Sequence, residues 1–472
     1  MNKIVCFLSS GLLSAISVCA TNPSDVILHA WNWSADEIAR NAAAIANAGF
    51  TIVQTAPMQN CLTAPGGNRK LFSAPGENAG NWYHYYQPTD WKIGNDIIGN
   101  RESIAAMIDS LHNHGVRVIV DVCPQHTAFD IDEVSEEFLD AVGGRVNMYH
   151  SSGLTSISDY NDRQQCTLQG VGGLPDVNTE NPDFQHYYLR YVNGLIGMGV
   201  DGFRYDTAKH IGVHSDPVDK ARGVRQNDFW DIVTGRKSVK GSKLAVPADS
   251  LFVYLEVLQD WSVPEKEYGD YAKLIASNYG YAMREMLTHQ SAKDIDLTDW
   301  KHSLSPENFI TWVESHDTYC NQHESASIED ASIRCGWVFL TARAGGIPLF
   351  YSRPNNSTRT NYWGDNINGK RGNDEFLHPE VWAVNLFRKA MVKEPENILK
   401  STDGQIVAVE RGKRGIAVIN ICDEARFVNL PVSIPSGKYR DVVYGKEFIV
   451  KDGKLSGTAT PHRSYILYAK SK

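Results

Sequence analysis

Two hydrophobic rhythms alternate from residue 25 to about residue 385. Short apolar runs at VILHA (26–30), TIVQT (51–55), VRVIVDV (116–122), LFVYLE (251–256), KLIA (273–276), FITWV (309–313) and IPLFY (347–351) have the length and composition of strands. The run GFRYD (202–206) alternates, so Phe203 and Tyr205 share one face and Arg204 and Asp206 the other. Between the runs the apolar period becomes helical. Ser34 and Glu37 form a capping box before Ile38, Ala42 and Ile45, with Gly49 as the stop. Ile104, Met107, Ile108 and Leu111 mark a second helix ending at Gly115, and Pro182 opens another that Gly199 closes.

Repeated strand–helix units predict a parallel sheet, and eight of them over about 350 residues predict an α/β fold closed as a (β/α)8 TIM barrel. An open doubly wound sheet would carry a Gly-rich turn after the first strand, and none is present. Between Asp121 and Asn181 a segment rich in Gly, Ser, Asn and Asp lacks helical period, which predicts an irregular insertion after the third strand. Beyond residue 400, QIVAV, GIAVINI, RFVNLPV, YRDVVYG and SYILYA predict an antiparallel β unit. The expected boundaries are a leader over 1–20, a barrel over 21–125 and 182–390, an inserted subdomain over 126–181 and a C-terminal β-sandwich over 391–472.

Charge narrows the partners. A formal net charge of −9 with both signs interspersed disfavours nucleic acid. Lys3 precedes an apolar run from Ile4 to Val18 and a small-residue site, the pattern of a signal peptide cleaved after Ala20, so a secreted, extracellular or periplasmic location is expected. No later segment reads as a membrane span. Six cysteines follow the leader (Cys61, Cys123, Cys166, Cys320, Cys335 and Cys422), an even number that suggests disulfides while leaving 15 pairings open. A monomer is expected.

In such a barrel the loops at the carboxyl ends of the strands form the large concave surface. Asp121, Asp206, Glu256 and Asp317 all fall there, with His126, Lys209, His210 and His316 beside them. Glycosidic bond cleavage needs two facing carboxyl groups with separated pKa values, one to protonate the leaving oxygen and one to attack or stabilise the anomeric carbon. Arg204 is expected to hold Asp206 ionised, and the apolar approach to Glu256 to raise its pKa by desolvation.

DVCPQH (121–126), LPD (174–176), GFRYDTAKH (202–210), the strand ending in Glu256, WVESHD (312–317) and GIP (346–348) together resemble the α-amylase family, glycoside hydrolase family 13. NWYHYYQP (81–88) resembles its aromatic platform, and EVLQD, SNYG, FYSRP and AVNLFRKAM are similar to secreted bacterial members of the Bacillus subtilis type. The resemblance implies retaining endo-hydrolysis of α-1,4-glucosidic bonds in starch, glycogen and maltodextrins. It makes Asp206 the nucleophile, Glu256 the general acid/base and Asp317 the carboxylate that steadies the transition state. It implies sugar contacts from His126, His316, Lys209 and His210, orientation of Asp206 by Arg204, stacking by Tyr86 with Gln87 beside it, and further walls from Trp82 and Tyr83. Glu314 is a rival to Asp317, but the family pattern favours the His316–Asp317 pair.

The family's structural calcium would be held here by Gln125, Gln165, Asp176 and the carbonyl of His210. Glutamine replaces shorter ligands at two of these positions, so a weakened or lost calcium site is expected. Chloride is not expected, because Ser315 and Pro348 stand where chloride-dependent relatives carry an Asn and a basic residue. Leu255, in place of a glycine, is expected to narrow the cleft. Two other functions share these motifs: an α-glucan transglycosylase, in which a sugar replaces water as acceptor, and a catalytically inactive glucan-binding protein, which the intact carboxylates disfavour.

Overall fold

The computed structural model describes residues 21–68 and 81–469; the leader expected over 1–20 lies outside them. Eight parallel strands close into a barrel: β1 (Ile27–Ala30), β2 (Ile52–Thr55), β3 (Arg117–Val122), β4 (Gly202–Tyr205), β5 (Phe252–Leu255), β6 (Lys273–Ile275), β7 (Phe309–Thr311) and β8 (Ile347–Tyr351), with β8 pairing back onto β1. Every strand matches a run read from the sequence. No helix among the described residues is long and apolar enough to cross a membrane.

The two faces of the barrel wall follow the period of two. Ile27, Ile52, Ile119, Phe252, Tyr254, Ile310 and Leu349 fill the interior, while Leu28, Val53, Val118, Val120, Phe203, Tyr205 and Leu255 pack outward against the helices. Leu255 is therefore fully buried on the helix side and does not narrow the cleft as expected, because Tyr254 takes the inward position on β5. Helix α1 (Ala35–Asn47) starts where the capping box predicts, with Ser34 Oγ accepting the Glu37 N–H at 3.3 Å, and it buries Ala35, Ile38, Ala42 and Ile45. Ile38 and Ile45 each contribute roughly 1.5–3 kcal/mol of burial.

Register across β3, β4 and β5 positions the chemistry. Asp121 lies opposite Arg204, and Arg204 opposite Tyr254. Gly202, at the foot of β4, pairs with Ile119 and Phe252, and a Cβ there would run into the Phe252 carbonyl. Only glycine lets these two strands approach so closely.

The segment between β3 and the helix Pro182–Gly197 contains only short α-helices, at Glu136–Ala141, Arg145–Met148 and Arg163–Leu168, and 3₁₀ turns at Ile131–Glu133 and Val171–Gly173. It stays irregular, as its composition predicts. Towards the C-terminus, antiparallel sheets of order 396–400, 406–411, 415–420, 463–468 and 426–431, 454–459, 447–451, 437–440 share an apolar cluster that includes Ala408, Val418, Val428, Phe448 and Leu467. Strands Glu447–Lys451 and Lys454–Ala459 escape the sequence reading because each is short and buries only two residues, Phe448 and Val450 in the first and Leu455 and Ala459 in the second, and the expected run YRDVVYG breaks at Asp441, whose carboxylate accepts the Val443 and Tyr444 N–H groups.

The expected disulfides are absent among the described residues: all six cysteines are free, buried thiols. Several sulfurs have other partners. Cys166 donates to the Tyr160 carbonyl at 3.2 Å, Cys320 contacts the Tyr351 hydroxyl at 3.3 Å, and Cys335 donates to the Asn420 carbonyl at 3.5 Å.

Candidate active site

A cleft of about 700 Å³ opens at the carboxyl ends of the strands, lined by Asp206, Glu256 and Asp317 and walled on one side by Tyr160, Val171 and Leu174 of the insertion. Asp206 and Glu256 are the first residues beyond β4 and β5, and Asp317 begins a single π-helical turn (Asp317–Asn321) after β7. Such turns recur at functional sites. Thr207, β-branched yet left-handed at φ 47°, aims its N–H at Glu256 Oε2, 2.7 Å away. This backbone conformation costs on the order of 1–3 kcal/mol and persists only where the surroundings enforce it.

Arg204 organises the charges. Its Nη1 donates to Asp206 Oδ1 at 2.5 Å and to both Asp121 oxygens at 2.8 and 2.9 Å, while Nη2 lies 2.9 Å from Glu256 Oε2. One buried guanidinium cannot neutralise three buried carboxylates, so protons redistribute. Burial pushes Glu256 up to about 8 against the pull of Arg204, with the Asp206 and Asp317 charges adding to the rise. Burial would also raise Asp206, but Arg204, His126 and His316 outweigh it and hold this carboxylate below the usual range. Asp121 rises to about 7, chiefly by desolvation. At neutral pH the site thus carries a charged Asp206 beside a protonated Glu256.

The remaining expected residues divide. Trp82, Tyr83, Tyr86, His126, Arg204, Lys209, His210 and His316 all line the cleft. Tyr86 is more than a stacking surface: its hydroxyl donates to Asp121 Oδ2 at 2.9 Å, and its ring lies against His316. Lys209 pairs with Asp260 at 2.5 Å, and His210, lowered to about 4 by burial, bonds the Cys166 carbonyl through Nδ1 at 2.8 Å. His126 turns its ring to protein acceptors, with Nε2 2.7 Å from the Tyr86 carbonyl and Nδ1 2.9 Å from Gln125 Oε1; burial lowers its pKa, and a neutral imidazole donates to only one of the two. Gln87 departs from expectation: it is buried outside the cleft lining, and its Oε1 accepts the Phe129 N–H at 3.0 Å. Glu314 is bound at 2.8 Å by both Nε and Nη2 of Arg353, a structural pair away from the cleft.

Asp121 was visible as a rim acid, but its part in dividing Arg204 between carboxylates was not. His29, Gln259 and Trp312 also line the cleft unforeseen. His316 Nδ1, Gln259 Nε2 and Trp312 Nε1 are buried with no hydrogen-bond partner among the described residues.

The positions expected to hold calcium do not form an oxygen cage. Gln125 turns its Nε2 to Asp176 Oδ1 at 2.6 Å, and His150 Nδ1 meets Asp176 Oδ2 at 2.5 Å. Gln165 is occupied elsewhere, its Oε1 accepting from Ser158 N, Ser158 Oγ and Asp159 N. Both Asp176 oxygens face nitrogen, whereas calcium takes six to eight oxygens at about 2.3–2.6 Å. These side chains do not fit the ion.

A parallel eight-stranded barrel with carboxyl groups paired in this way has the architecture of a glycoside hydrolase. The chain belongs to the alpha-amylase family, whose catalytic-domain pattern (alpha amylase, catalytic domain) matches residues 70–329. It is 38% identical over 470 residues to an alpha-amylase of Butyrivibrio fibrisolvens, an alignment covering 94% of this chain and 47% of that protein. An alpha-amylase of Clostridium acetobutylicum is 28% identical over 452 residues, covering 94% and 54%. The chain therefore spans about half the length of these relatives. Among solved structures, a mutant of alpha-amylase I from Eisenia fetida in complex with maltohexaose superposes with a TM-score of 0.72 at 20% identity over 95% of this chain and 98% of that one. The alpha-amylase of Geobacillus thermoleovorans, complexed with acarbose, gives 0.68 at 18% identity, covering 95% and 99%.

Proposed function

We propose that this chain is an α-amylase that hydrolyses internal α-1,4-glucosidic bonds of starch, glycogen and maltodextrins with retention of configuration. Asp206 is the nucleophile. Arg204 occupies its Oδ1, and Oδ2, contacted by the Thr207 hydroxyl at 3.3 Å, attacks the anomeric carbon. Glu256 Oε2 is held by Thr207 N and Arg204, so Oε1 carries the proton delivered to the leaving glycosidic oxygen. The resulting glycosyl–Asp206 ester is cleaved when Glu256, now a base, takes a proton from water as that water attacks the same carbon. Asp317 bonds sugar hydroxyls, His316 and Lys209 contact the flanking groups, and Trp82, Tyr83 and Tyr86 pack against apolar sugar faces.

The opposed protonation of Asp206 and Glu256 around one arginine supports this assignment most directly. The maltohexaose and acarbose complexes of the structural neighbours agree with a linear α-glucan as ligand. Calcium enters no step. The partition into barrel (21–125 and 182–390), insertion (126–181) and terminal β unit (391–472) belongs to the same reading, as does export by the leader 1–20.

Amylose digestion followed by anomeric NMR and reducing-end release tests the function. The α-anomer appearing first, with one new reducing end per bond cleaved, is expected. Longer glucans without new reducing ends would indicate transglycosylation, and no reaction would indicate a glucan-binding protein.

A further inference from the structure

The junction between barrel and insertion, where oxygen ligands to calcium were expected, is tied by side-chain nitrogens of His150 and Arg163. His150 and Asp176 are both about 1% exposed. Asp176 is clamped on Oδ1 by the Gln125 amide and on Oδ2 by the His150 ring, whose other nitrogen lies 3.8 Å from Glu180 Oε2. Glu180 Oε2 in turn accepts the Asp219 N–H at 3.1 Å, and Asp219 reaches back to the insertion through Ser151 N and Oγ at 2.6 and 2.8 Å.

A second tie lies beside His210. Arg163, the first residue of the short insertion helix, binds Asp216 through two parallel contacts at 2.9 and 2.7 Å and donates to the Lys209 carbonyl at 3.1 Å and the Tyr268 hydroxyl at 2.9 Å. Its side chain is 13% exposed. A planar guanidinium fixed at four oxygen atoms supplies the charge and directionality that a bridging ion would otherwise provide.

We infer that His150 on Asp176, together with Arg163 on Asp216 and the Lys209 carbonyl, replaces a divalent cation at this junction, so that the fold requires no calcium. The inference is independent of the proposed hydrolysis, because the readout is stability alone.

The test is the melting temperature of the full chain and of Asp176→Asn, each with EGTA or with excess calcium chloride. A resident ion well above its Kd stabilises by mass action enough to move the melting point several degrees. The parent is expected to melt at the same temperature in both buffers. His150→Ala and Arg163→Met are expected to melt several degrees lower, with no recovery in calcium. A parent that loses several degrees in EGTA would overturn the inference, whether or not Asp176→Asn does, as would calcium rescue of His150→Ala or unchanged melting of both His150→Ala and Arg163→Met. If the variants do not fold, the parent comparison alone decides.

Discussion

The rings of Tyr86 and His316 lie parallel, with centroids 5.0 Å apart and 4° between their planes. The Trp31 ring also lies near-parallel to His316, 6.0 Å away at 16°. The imidazole is thus packed against two aromatic rings, and Tyr86 also braces Asp121. Tyr86→Phe keeps the stack and loses the hydrogen bond; Tyr86→Leu loses both. We expect Tyr86→Leu to raise KM for maltodextrins about tenfold or more, the scale of one lost aromatic contact, and Tyr86→Phe to affect kcat more than KM. Steady-state kinetics on defined oligosaccharides separates the two.

Removing either reacting carboxyl should abolish turnover while sparing binding. Glu256→Gln is expected to lower kcat by about 10²–10⁴, the contribution of a positioned general acid, and Asp206→Asn by at least as much. Calorimetric titration of these variants with maltodextrin should still show binding.

The pH profile follows from the opposed shifts. Turnover needs Asp206 ionised and Glu256 protonated. Asp206 sits below its ordinary value of 3.8, so activity falls on the acid side only below about pH 4. Glu256 is pushed up to about 8, and activity falls as pH rises through that value because the acid loses its proton. A kcat/KM profile from pH 3 to 10 checks both limbs.

Asp121→Asn should move only one of them. Asp121, raised to about 7, is already neutral on the acid limb, but on the alkaline limb the loss of its charge lets Arg204 attract Glu256 more strongly and favours the ionised form. The alkaline limb is expected to shift down by on the order of one pH unit, and the melting temperature provides the control for folding.

The thiols should behave as core atoms. Ellman's reagent is expected to label none of the six cysteines in the native protein and all of them in denaturant, with no change of melting temperature in reductant.

Much of this was legible in the chain. The barrel strands were readable because each is a buried run bounded by a turn, and the Arg204–Asp206 face because a strand alternates. The raised Glu256 followed from its apolar approach. Contacts set by strand register were hidden: that Arg204 also reaches Glu256 depends on how β4 lies against β5, which no spacing within either strand encodes. His150 was overlooked for the same reason, since its partner Asp176 is 26 residues away across an irregular loop. Leu255 was readable in principle. With Tyr254 inward, its neighbour had to face the helices.

Gly202 gives the site its gauge. The residue touches no ligand and sits at the opposite end of β4 from Asp206, yet the absence of a single methyl group lets β4 settle against β5 and fixes how far apart the first residues beyond them emerge. An alanine here would spread the staves, and a lesion at the floor of the barrel would be recorded at its mouth as slow chemistry.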